Sequence, residues 1–516
     1  MKRIYLVLIT VLVAMAAVAQ VGDLERSTPA QEGVDPAAVT SFVDSLLKVK
    51  KTAIHHAMVV RHGKVIAEVH PTPYRAQDAH TLYSCSKTFV SMAIGIAVGE
   101  NRLRLDDRIA LFFPDKLPSE ISPRLAKMTV KDVLIMGSGI KPDWVMRNFA
   151  DSPDWIKEWL AKPVEHEPGT LFQYDSMCTY MLSAIVQRVT GKTVLEYLNE
   201  HVFGPMHITE VDWEQSPDGI NTGGWGLRLQ AESLAKVGML LNARGNWNGK
   251  QLIPAEWIDE AVKPYINYAN VKPTDAPSDK NQGYCYQLWR CKDARAFRAD
   301  GAFGQYIVCI PELDIVVVIL GMSGDGHGEL GCIWNHLLPG VDKENAKPEK
   351  AQKALEASCA KASLPMLKGK KAGKPLPITL SVSDEGTRTE SIGEITIDEN
   401  YNITMDCKDM VKETIALGNG KWLYTDLKDV PPYSIEAVDR FKGLKRNFHA
   451  AGCYAWESKD MLVVRIEYVN WISATTFRFD FKEGIVTVTD NFNEAKPRTL
   501  YICGGSYGPY INFTVL

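Results

Sequence analysis

The sequence lacks the features that mark several common classes of protein. Its 58 Lys and Arg residues nearly balance 62 Asp and Glu, for a formal net charge of −4. A chain without a positive excess gives no electrostatic case for a nucleic-acid partner. C-x-x-C and H-E-x-x-H segments are absent, and His55, His56, His62, His70 and His80 lack ligand spacing. We therefore expect neither a metal site nor an organic cofactor.

The ten cysteines lack the pattern of a disulfide framework. They are scattered along the chain and several lie in apolar runs, as Cys309 does within residues 307–310. Such positions are typical of small buried hydrophobic side chains. Cys285 and Cys291 are candidates for one pair, which the sequence leaves open. Free thiols in an exported protein favour a low-oxygen habitat.

The N-terminus carries a targeting pattern. Residues 4–19 are apolar, follow a basic pair and end in the small-x-small sequence Ala-Val-Ala. The run is short for a membrane span, so we expect a signal peptide, residues 1–19, cleaved near Ala19 in a periplasmic or secreted bacterial protein. Because no cysteine precedes Cys85, a lipoprotein anchor at this site is excluded. An uncleaved anchor is the alternative.

Three segments of different pattern follow. Residues 28–340 form one mixed α/β unit, residues 341–377 a helical and flexible linker rich in Ala, Lys, Gly and Pro, and residues 378–516 a run of short period-two strands. The last pattern predicts a small antiparallel barrel or sandwich. In the first unit, hairpins are predicted within 57–69 and 307–320, and helices around 88–99, 129–136, 154–161, 177–190, 193–200 and 231–243.

The most informative motif is Ser84-Cys85-Ser86-Lys87, an S-x-x-K sequence just before the apolar stretch Thr88–Val98. If that stretch is a helix, residues three apart share one face and the Lys87 amine lies beside the Ser84 hydroxyl. A serine needs such a neighbour to act as a nucleophile near neutral pH. Burial would lower the pKa of Lys87 and help it act as a base. The alternative is a serine N-cap followed by a solvated lysine.

An active site of this kind also needs a proton carrier and donors for a developing oxyanion. Tyr174 lies in a turn-like sequence, residues 167–176, ahead of a predicted helix. A nearby lysine cation would depress the pKa of such a tyrosine and make it a candidate acid and base. Taken alone, the position is more typical of a core or surface tyrosine. Trp155, Trp159 and Trp225 are candidates to line a cleft, although core packing is favoured for each.

Taken in order, these pieces resemble the class C β-lactamase-like serine hydrolases. This β-lactamase-related family includes D-alanyl-D-alanine carboxypeptidases, D-aminopeptidases, family VIII esterases and 6-aminohexanoate-dimer hydrolases. The matching segments are residues 82–87, 103–107, 128–139, 168–176, 221–227, 253–257 and 304–311. The resemblance implies a serine β-lactamase/penicillin-binding-protein-like α/β (α+β) fold, with an antiparallel sheet flanked by helices, a helical domain and a cleft between them. The C-terminal all-β barrel-like domain is additional.

The resemblance also implies roles. Ser84 would attack a carbonyl and form an acyl-enzyme, and Lys87 would activate it. Tyr174 would carry the proton to the leaving group and later activate the deacylating water. Backbone N–H groups of Ser84 and of the strand near Ala302 would form the oxyanion hole. The family's Y-x-N sequence is Tyr-Asp-Ser here, so the shorter Ser176 hydroxyl replaces an amide.

The family's third motif, K-T-G or H-x-G, is altered further. Gly301 fits its glycine, but neither Lys nor His lies two residues earlier. Arg298 is one position away from the missing cation and is a candidate to replace it, although strand alternation would point it to the opposite face. Asp300 would repel a substrate carboxylate if it lined the cleft. With Ala302, these are the predicted substrate-binding positions.

We therefore predict a serine hydrolase that acts on a small-molecule amide or ester, with poor turnover of penicillins and D-Ala-D-Ala peptides. A preference for neutral or cationic substrates follows from Asp300. The alternatives are a true β-lactamase or D-Ala carboxypeptidase, and a catalytically silent ligand-binding homologue. No stable membrane span is expected, and the oligomeric state is left open.

Overall fold

The computed structural model describes residues 23–142, 151–266, 278–324, 327–384, 392–407, 412–431, 440–490, 497–507 and 511–514. The predicted signal peptide therefore lies outside the described residues. The described chain forms an N-terminal α/β domain and a C-terminal barrel. Across these ranges, no helix is both long and apolar enough to cross a membrane.

The α/β domain contains eleven helices and eleven strands among its described residues. The helices are α1 Pro36–Leu46, α2 Ser86–Gly99, α3 Pro123–Lys127, α4 Val130–Leu134, α5 Trp155–Leu160, α6 Ser176–Thr190, α7 Val194–Leu198, α8 Ala231–Asn242, α9 Ala255–Ala261, α10 Gly328–Cys332 and α11 Pro348–Lys361. The strands are β1 Thr52–Arg61, β2 Lys64–Val69, β3 His80–Thr81, β4 Val211–Trp213, β5 Leu227–Leu229, β6 Asn246–Trp247, β7 Lys250–Gln251, β8 Trp289–Arg290, β9 Phe297–Gly301, β10 Gln305–Ile310 and β11 Ile315–Ser323. Short 3₁₀ or π turns are at Tyr83–Cys85, Ile109–Phe112, Pro114–Lys116, Asn199–Phe203, Pro311–Leu313, Ile333–Leu337 and Leu338–Gly340.

A six-stranded antiparallel sheet in the order β2-β1-β11-β10-β9-β8 forms the centre of this domain. Successive side chains of a strand point to opposite faces. On β11, Val316 and Val318 therefore enter the large core with α2 and α8, whereas Val317 and Ile319 enter a smaller core with α1. Burial of both faces explains the uninterrupted apolar runs of β10 and β11. Both hairpins predicted from the sequence are present.

Helices α2 and α6 carry the beginning of the functional site. The described side chains of α2 are buried from Ser86 to Ala97, as its all-round apolar sequence predicts. Helix α6 begins after Asp175, whose carboxylate accepts a hydrogen bond from Met177 N at 2.9 Å. A side-chain N-cap of this kind satisfies one of the unpaired donors of the first turn. The candidate cleft tryptophans Trp155, Trp159 and Trp225 are all buried in the core.

The C-terminal domain is built from strands alone among its described residues. These are β12 Ile378–Asp384, β13 Ile392–Ile397, β14 Asn402–Cys407, β15 Glu413–Asn419, β16 Leu423–Asp426, β17 His449–Trp456, β18 Met461–Tyr468, β19 Ala474–Asp480, β20 Ile485–Asp490, β21 Arg498–Tyr507 and β22 Ile511–Thr514. Strand β12 pairs with β13 on one side and with β21 on the other, so the sheet closes on itself. Closure removes free strand edges. The predicted β-lactamase-like fold with an added barrel-like domain is thus confirmed.

The segment between the domains is held in place over much of its length. Helix α11 buries Leu355 against the core that contains α1. Composition predicts a flexible connection after it, yet Lys370 and Trp456 exchange backbone hydrogen bonds of 2.7 and 3.0 Å. A Cβ added to Gly369 or Gly373 would lie within 2.4 Å of Trp456 atoms. The glycines therefore allow close packing on the barrel here rather than free movement.

Candidate active site

Ser84 lies in the tight connection between β3 and α2. Its turn, Tyr83–Cys85, is separated from the strand by Leu82 alone and directly precedes the first residue of the helix. Tyr83 has a φ of +46°, a left-handed conformation that is uncommon for a residue with a side chain. Cys85 N donates to Leu82 O at 3.1 Å and closes the turn. The turn presents the Ser84 side chain to a cavity at the start of α2.

Lys87 lies one helical turn beyond the serine and is only 1% exposed. Its Nζ donates to Ser84 Oγ at 2.9 Å, Ser176 Oγ at 3.0 Å and Gly224 O at 2.7 Å. Burial lowers the pKa of Lys87 to about 7, because a charged amine loses its hydration. The amine is therefore partly neutral near pH 7 and can accept the Ser84 proton.

The Ser176 hydroxyl occupies the place expected for the family's amide. It is the first residue of α6, and the hydrogen bond from Lys87 shows that a shorter side chain still reaches the amine. The preceding residue, Asp175, is buried, and burial raises its pKa to about 6. Its charge acts in the opposite direction on Lys87, whose pKa it raises. The cap of α6 thus also tunes the amine.

Tyr174 completes the predicted set. Lys87 Nζ lies 4.8 Å from the centroid of the Tyr174 ring. The ring is supported by Trp289 at 5.8 Å and by Tyr284 at 6.0 Å between centroids. Tyr174 and Ser84 line the same cavity. The structure therefore brings together the three side chains to which the sequence assigns acid–base and nucleophilic roles.

The cavity has a volume of about 470 Å³, which suits a small ligand. Its lining residues are Ser84, Tyr174, Lys280, Trp289, Arg298, Asp300, Ala302 and His327. Lys280, Trp289 and His327 were not predicted from the sequence. Neither Lys280 nor Trp289 belongs to a recognisable motif, and the one local signal for His327 is its glycine-rich surroundings after β11.

The end of β9 lies directly against the nucleophile turn. A Cβ on Gly301 would come within 2.3 Å of Leu82 O, so only glycine fits there. The following residue, Ala302, lines the same cavity as Ser84. Gln305, also absent from the sequence prediction, holds this turn, because its Nε2 donates to Ala302 O and Phe303 O at 3.1 Å and to Gly321 O at 2.7 Å.

Arg298 and Asp300 share the cavity. Arg298 lies on the opposite face from Ala299, as strand alternation predicts, and this is the face that meets the cavity. Alternation along β9 turns Ala299 into the core, which leaves its two neighbours facing the cavity. Arg298 Nε donates to Asp300 Oδ2 at 2.8 Å, and His327 Nε2 lies 3.2 Å from the same oxygen. Burial would raise the pKa of Asp300, but Arg298 and His327 hold it below its usual value. The cavity therefore contains a stable anion.

Other candidate sites are not formed. Within the parts of the chain that are described, no cluster of three or more His, Cys, Asp or Glu side chains has the geometry of a metal site. Cys285 and Cys291 are buried free thiols and do not pair. Cys285 Sγ contacts Val262 O at 3.4 Å, and Cys291 Sγ accepts from Arg298 Nη1 at 3.7 Å.

Comparison with known proteins agrees with this geometry. The family model described as Beta-lactamase matches residues 48–330, more than half of the chain. The chain belongs to the β-lactamase family. The match ends ahead of the barrel, which lies wholly outside it.

Relatives within this family differ in what they are named for. A 6-aminohexanoate-dimer hydrolase of Paenarthrobacter ureafaciens is 24% identical over 327 residues, which are 60% of this chain and 82% of that protein. Protein flp of Staphylococcus aureus strain COL is 25% identical over 175 residues, 31% of this chain and 34% of flp. A Bacillus anthracis structure provisionally named 6-aminohexanoate-dimer hydrolase has a TM-score of 0.50 and 19% identity, covering 61% of this chain and 87% of its own. At that identity the structure supports a shared fold only.

Proposed function

We propose that this protein is a secreted serine hydrolase that cleaves a small amide or ester through an acyl-enzyme on Ser84. The observation that carries the proposal is the 2.9 Å contact between Lys87 Nζ and Ser84 Oγ beside a cavity of about 470 Å³. Near neutral pH a serine is a weak nucleophile unless a base removes its proton, and Lys87 has a pKa of about 7. Membership of the β-lactamase family supports the same chemistry.

The reaction has two halves. Neutral Lys87 takes the Ser84 hydroxyl proton as Oγ bonds to the substrate carbonyl carbon, and the negative charge develops on the carbonyl oxygen. Donors near Ser84 and Ala302 stabilise that charge. The bond to the leaving amine or alcohol breaks, and Tyr174 supplies the leaving group with a proton that it regains from Lys87. A water then gives a proton to this relay as it attacks the acyl carbon. The bond from that carbon to Ser84 Oγ breaks, and the relay returns the proton to Oγ, which releases an acid and restores the Ser84 hydroxyl.

The cavity favours neutral or cationic substrates. Asp300 carries a stable negative charge, and Arg298, its partner, also donates to Arg290 O at 2.8 Å and Asp279 O at 3.0 Å. The guanidinium is therefore already engaged. Ala299 stands where the family's substrate-binding cation would be, and its side chain faces the core. These features support poor turnover of carboxylate-bearing penicillins.

One similarity bears on which bond is cleaved. The relative of Paenarthrobacter ureafaciens is named for hydrolysis of an amide dimer, which favours an amide. A panel of p-nitrophenyl esters and aminoacyl p-nitroanilides, each with and without a carboxylate, separates the amide, ester and β-lactamase alternatives. Efficient hydrolysis of benzylpenicillin by the purified protein would contradict the proposed substrate preference.

Labelling with a fluorophosphonate probe tests the nucleophile directly and distinguishes an enzyme from a silent binding homologue. We expect the wild type to be labelled and Ser84→Ala not to be. Ser91→Ala is the matched control, because Ser91 is a buried serine on α2, the helix that follows the Ser84 turn. Equal labelling of wild type and Ser84→Ala, or none of either, would contradict the proposal.

Secretion is the part of the proposal that depends on the N-terminal pattern alone. Sequencing the N-terminus of the protein recovered from a periplasmic or culture fraction tests it. We expect the mature chain to begin near Gln20. An intact N-terminus in the cytoplasmic fraction would contradict it.

A further inference from the structure

A segment of the barrel, residues 440–448, packs on a loop of the α/β domain, residues 212–228. Arg440 Nη1 donates to Glu214 Oε1 at 2.5 Å, and both side chains are almost fully buried. Gln215 N donates to Lys442 O at 2.8 Å. Removal of one partner from a buried ion pair leaves the other charge buried and uncompensated, which strongly destabilises the folded protein. We therefore expect the interface to depend on both side chains.

Arg228 extends the same interface. Its Nε donates to Asp212 Oδ1 at 2.8 Å within the α/β domain, while Nη2 donates to Lys445 O at 2.9 Å and Asn447 Oδ1 at 3.1 Å in the barrel. The guanidinium also lies 4.5 Å from the centroid of the Phe448 ring. One buried side chain of β5 is thus held by both domains.

The other side of the 212–228 loop supports the candidate site. Gly224 O is one of the three acceptors of Lys87 Nζ. Leu227 O accepts from Leu82 N at 3.0 Å, and Leu227 N donates to Ser86 Oγ at 3.2 Å. The loop therefore lies between the barrel and the residues that position Ser84 and Lys87.

A second contact joins the barrel to the nucleophile turn. Tyr83 and Phe303 both pack against the barrel's apolar core, and their rings are 5.4 Å apart. Tyr83 precedes Ser84 and Phe303 follows Ala302, the two sides of the proposed oxyanion hole. Both residues have positive φ values, +46° and +64°. Such conformations persist only where the surroundings hold them.

We propose that the C-terminal barrel is a structural part of the active site, in which Arg440 and Phe303 are positioning residues. The 440–448 segment holds the loop that carries Gly224 against Lys87, and the barrel core holds the two turns on either side of the carbonyl oxygen. The inference rests on the proposed function and adds to it a role for the domain outside the family match.

The test compares the reaction of full-length variants with a fluorophosphonate, in which Ser84 Oγ bonds to phosphorus and fluoride leaves. For Arg440→Met we expect a fall of about tenfold or more in the second-order rate constant of this phosphonylation, because small displacements of catalytic groups are costly. Arg440→Lys keeps the charge beside Glu214 and should recover most of the rate. Arg478→Met removes an exposed barrel ion pair, Arg478 with Glu457, and should match the wild type.

Two readouts separate positioning from simple loss of folded protein. Unfolding lowers the fraction of molecules that is labelled, whereas mispositioning lowers the rate constant of the fraction that is labelled. With an ester substrate, we expect kcat to fall with little change in KM, since Arg440 does not line the cavity.

Phe303→Ala, compared with the conservative Phe303→Leu, tests the second contact if Arg440→Met folds poorly. We expect a lower phosphonylation rate constant for Phe303→Ala and partial recovery for Phe303→Leu. Wild-type rate constants in folded Arg440→Met and Phe303→Ala would overturn the inference. A wild type that is never labelled would instead overturn the proposed function, so the two failures are distinguishable.

Discussion

Two buried polar clusters of this protein respond to burial in the same way but lead to different properties. One surrounds Lys87 and opens to the cavity. The other lies between the domains and contains His55, His56 and His80. In both, burial favours the uncharged form of a base. The pKa of each base in water and the groups around it therefore decide whether the buried base can exchange protons near neutral pH.

The histidine cluster is closed and crosses the domain interface. His55 Nδ1 lies 2.8 Å from His80 Nε2, and the ring of Tyr74 stacks on His55 at 3.8 Å. Tyr74 OH donates to Glu467 Oε2 of the barrel at 2.8 Å. Glu467 in turn accepts from Arg465 Nε at 2.6 Å. These contacts join β1 and β3 of the α/β domain to β18 of the barrel.

Burial lowers the pKa of both bases, but the two final values differ. The pKa of Lys87 falls from 10.5 to about 7, where the amine exchanges protons under ordinary conditions. The pKa of His80 falls from 6.5 to about 4, so the imidazole stays neutral. The lysine faces a hydroxyl and a cavity, whereas the histidines face one another and Tyr74. The proposed chemistry therefore involves the first cluster, and we expect the second to contribute to stability.

Removing the lysine amine tests this division most strongly. Lys87→Met should lower the rate constant of phosphonylation by the fluorophosphonate about 10²–10⁴-fold, the range typical of losing a general base. Lys236→Met is a matched control, because Lys236 is also buried but donates to Met206 O. It should retain the wild-type rate constant even if its melting temperature falls. Equal losses in both variants would contradict a special role for Lys87.

The histidine cluster should make the protein sensitive to acid. The folded-state pKa of His80 is below the unfolded value, so the unfolded chain binds more protons between them. Protonation of His80 therefore leaves the free energy of unfolding unchanged above pH 6.5. As the pH decreases towards 4, His80 alone should lower the free energy of unfolding by about 3 kcal/mol.

Urea unfolding at pH 7.5, 6.0 and 4.5 measures this dependence. The other titratable and charged groups that face this cluster are His55, His56, His70, Tyr74, Glu467 and Arg465. His80→Gln should lower stability at pH 7.5 and flatten the slope. An unchanged slope in this variant would exclude His80 as a source of the acid sensitivity.

The pH dependence of labelling by the fluorophosphonate sharpens the description of the first cluster. With the neutral amine as the proposed base, the rate constant should fall about tenfold for each pH unit below about 7 and level off above it. Asp175→Asn removes an anion that raises the pKa of Lys87, so the midpoint should move to lower pH. Asparagine can still cap α6. A midpoint that moves to higher pH would contradict this electrostatic account.

The smallest expected effect concerns substrate charge. Asp300→Asn removes the cavity anion and leaves Arg298 in place, so esters that carry a carboxylate should gain relative to neutral ones by about 1 kcal/mol, or roughly fivefold. Asp293→Asn is the control, since Asp293 forms the same kind of pair with Arg295 but does not line the cavity. The ratio of kcat/KM values for the two esters measures the change. A ratio unaffected by Asp300→Asn would exclude Asp300 from selecting substrates.

Contacts between residues close in the chain could be predicted from the sequence. Contacts between residues that only folding brings together were harder to predict. The spacing of Ser84 and Lys87 predicts their contact because one helical turn fixes it. Tyr174 and Ser176 were connected to that pair only through resemblance to a family. Arg298 was correctly predicted to lie on the opposite face from Ala299, but alternation tells only which residues of β9 lie together and not which face meets the cavity.

The sequence by itself determined the helical turn that joins serine to lysine, the apolar runs of the central sheet and the alternating strands of the barrel. These depend on local periodicity and on the burial of apolar side chains. Only the tertiary structure decided that Gly224 accepts from Lys87, that His327 and Arg298 share Asp300, and that barrel residues support the nucleophile turn. Such contacts join distant parts of the chain, and their geometry depends on how whole domains pack rather than on any local pattern.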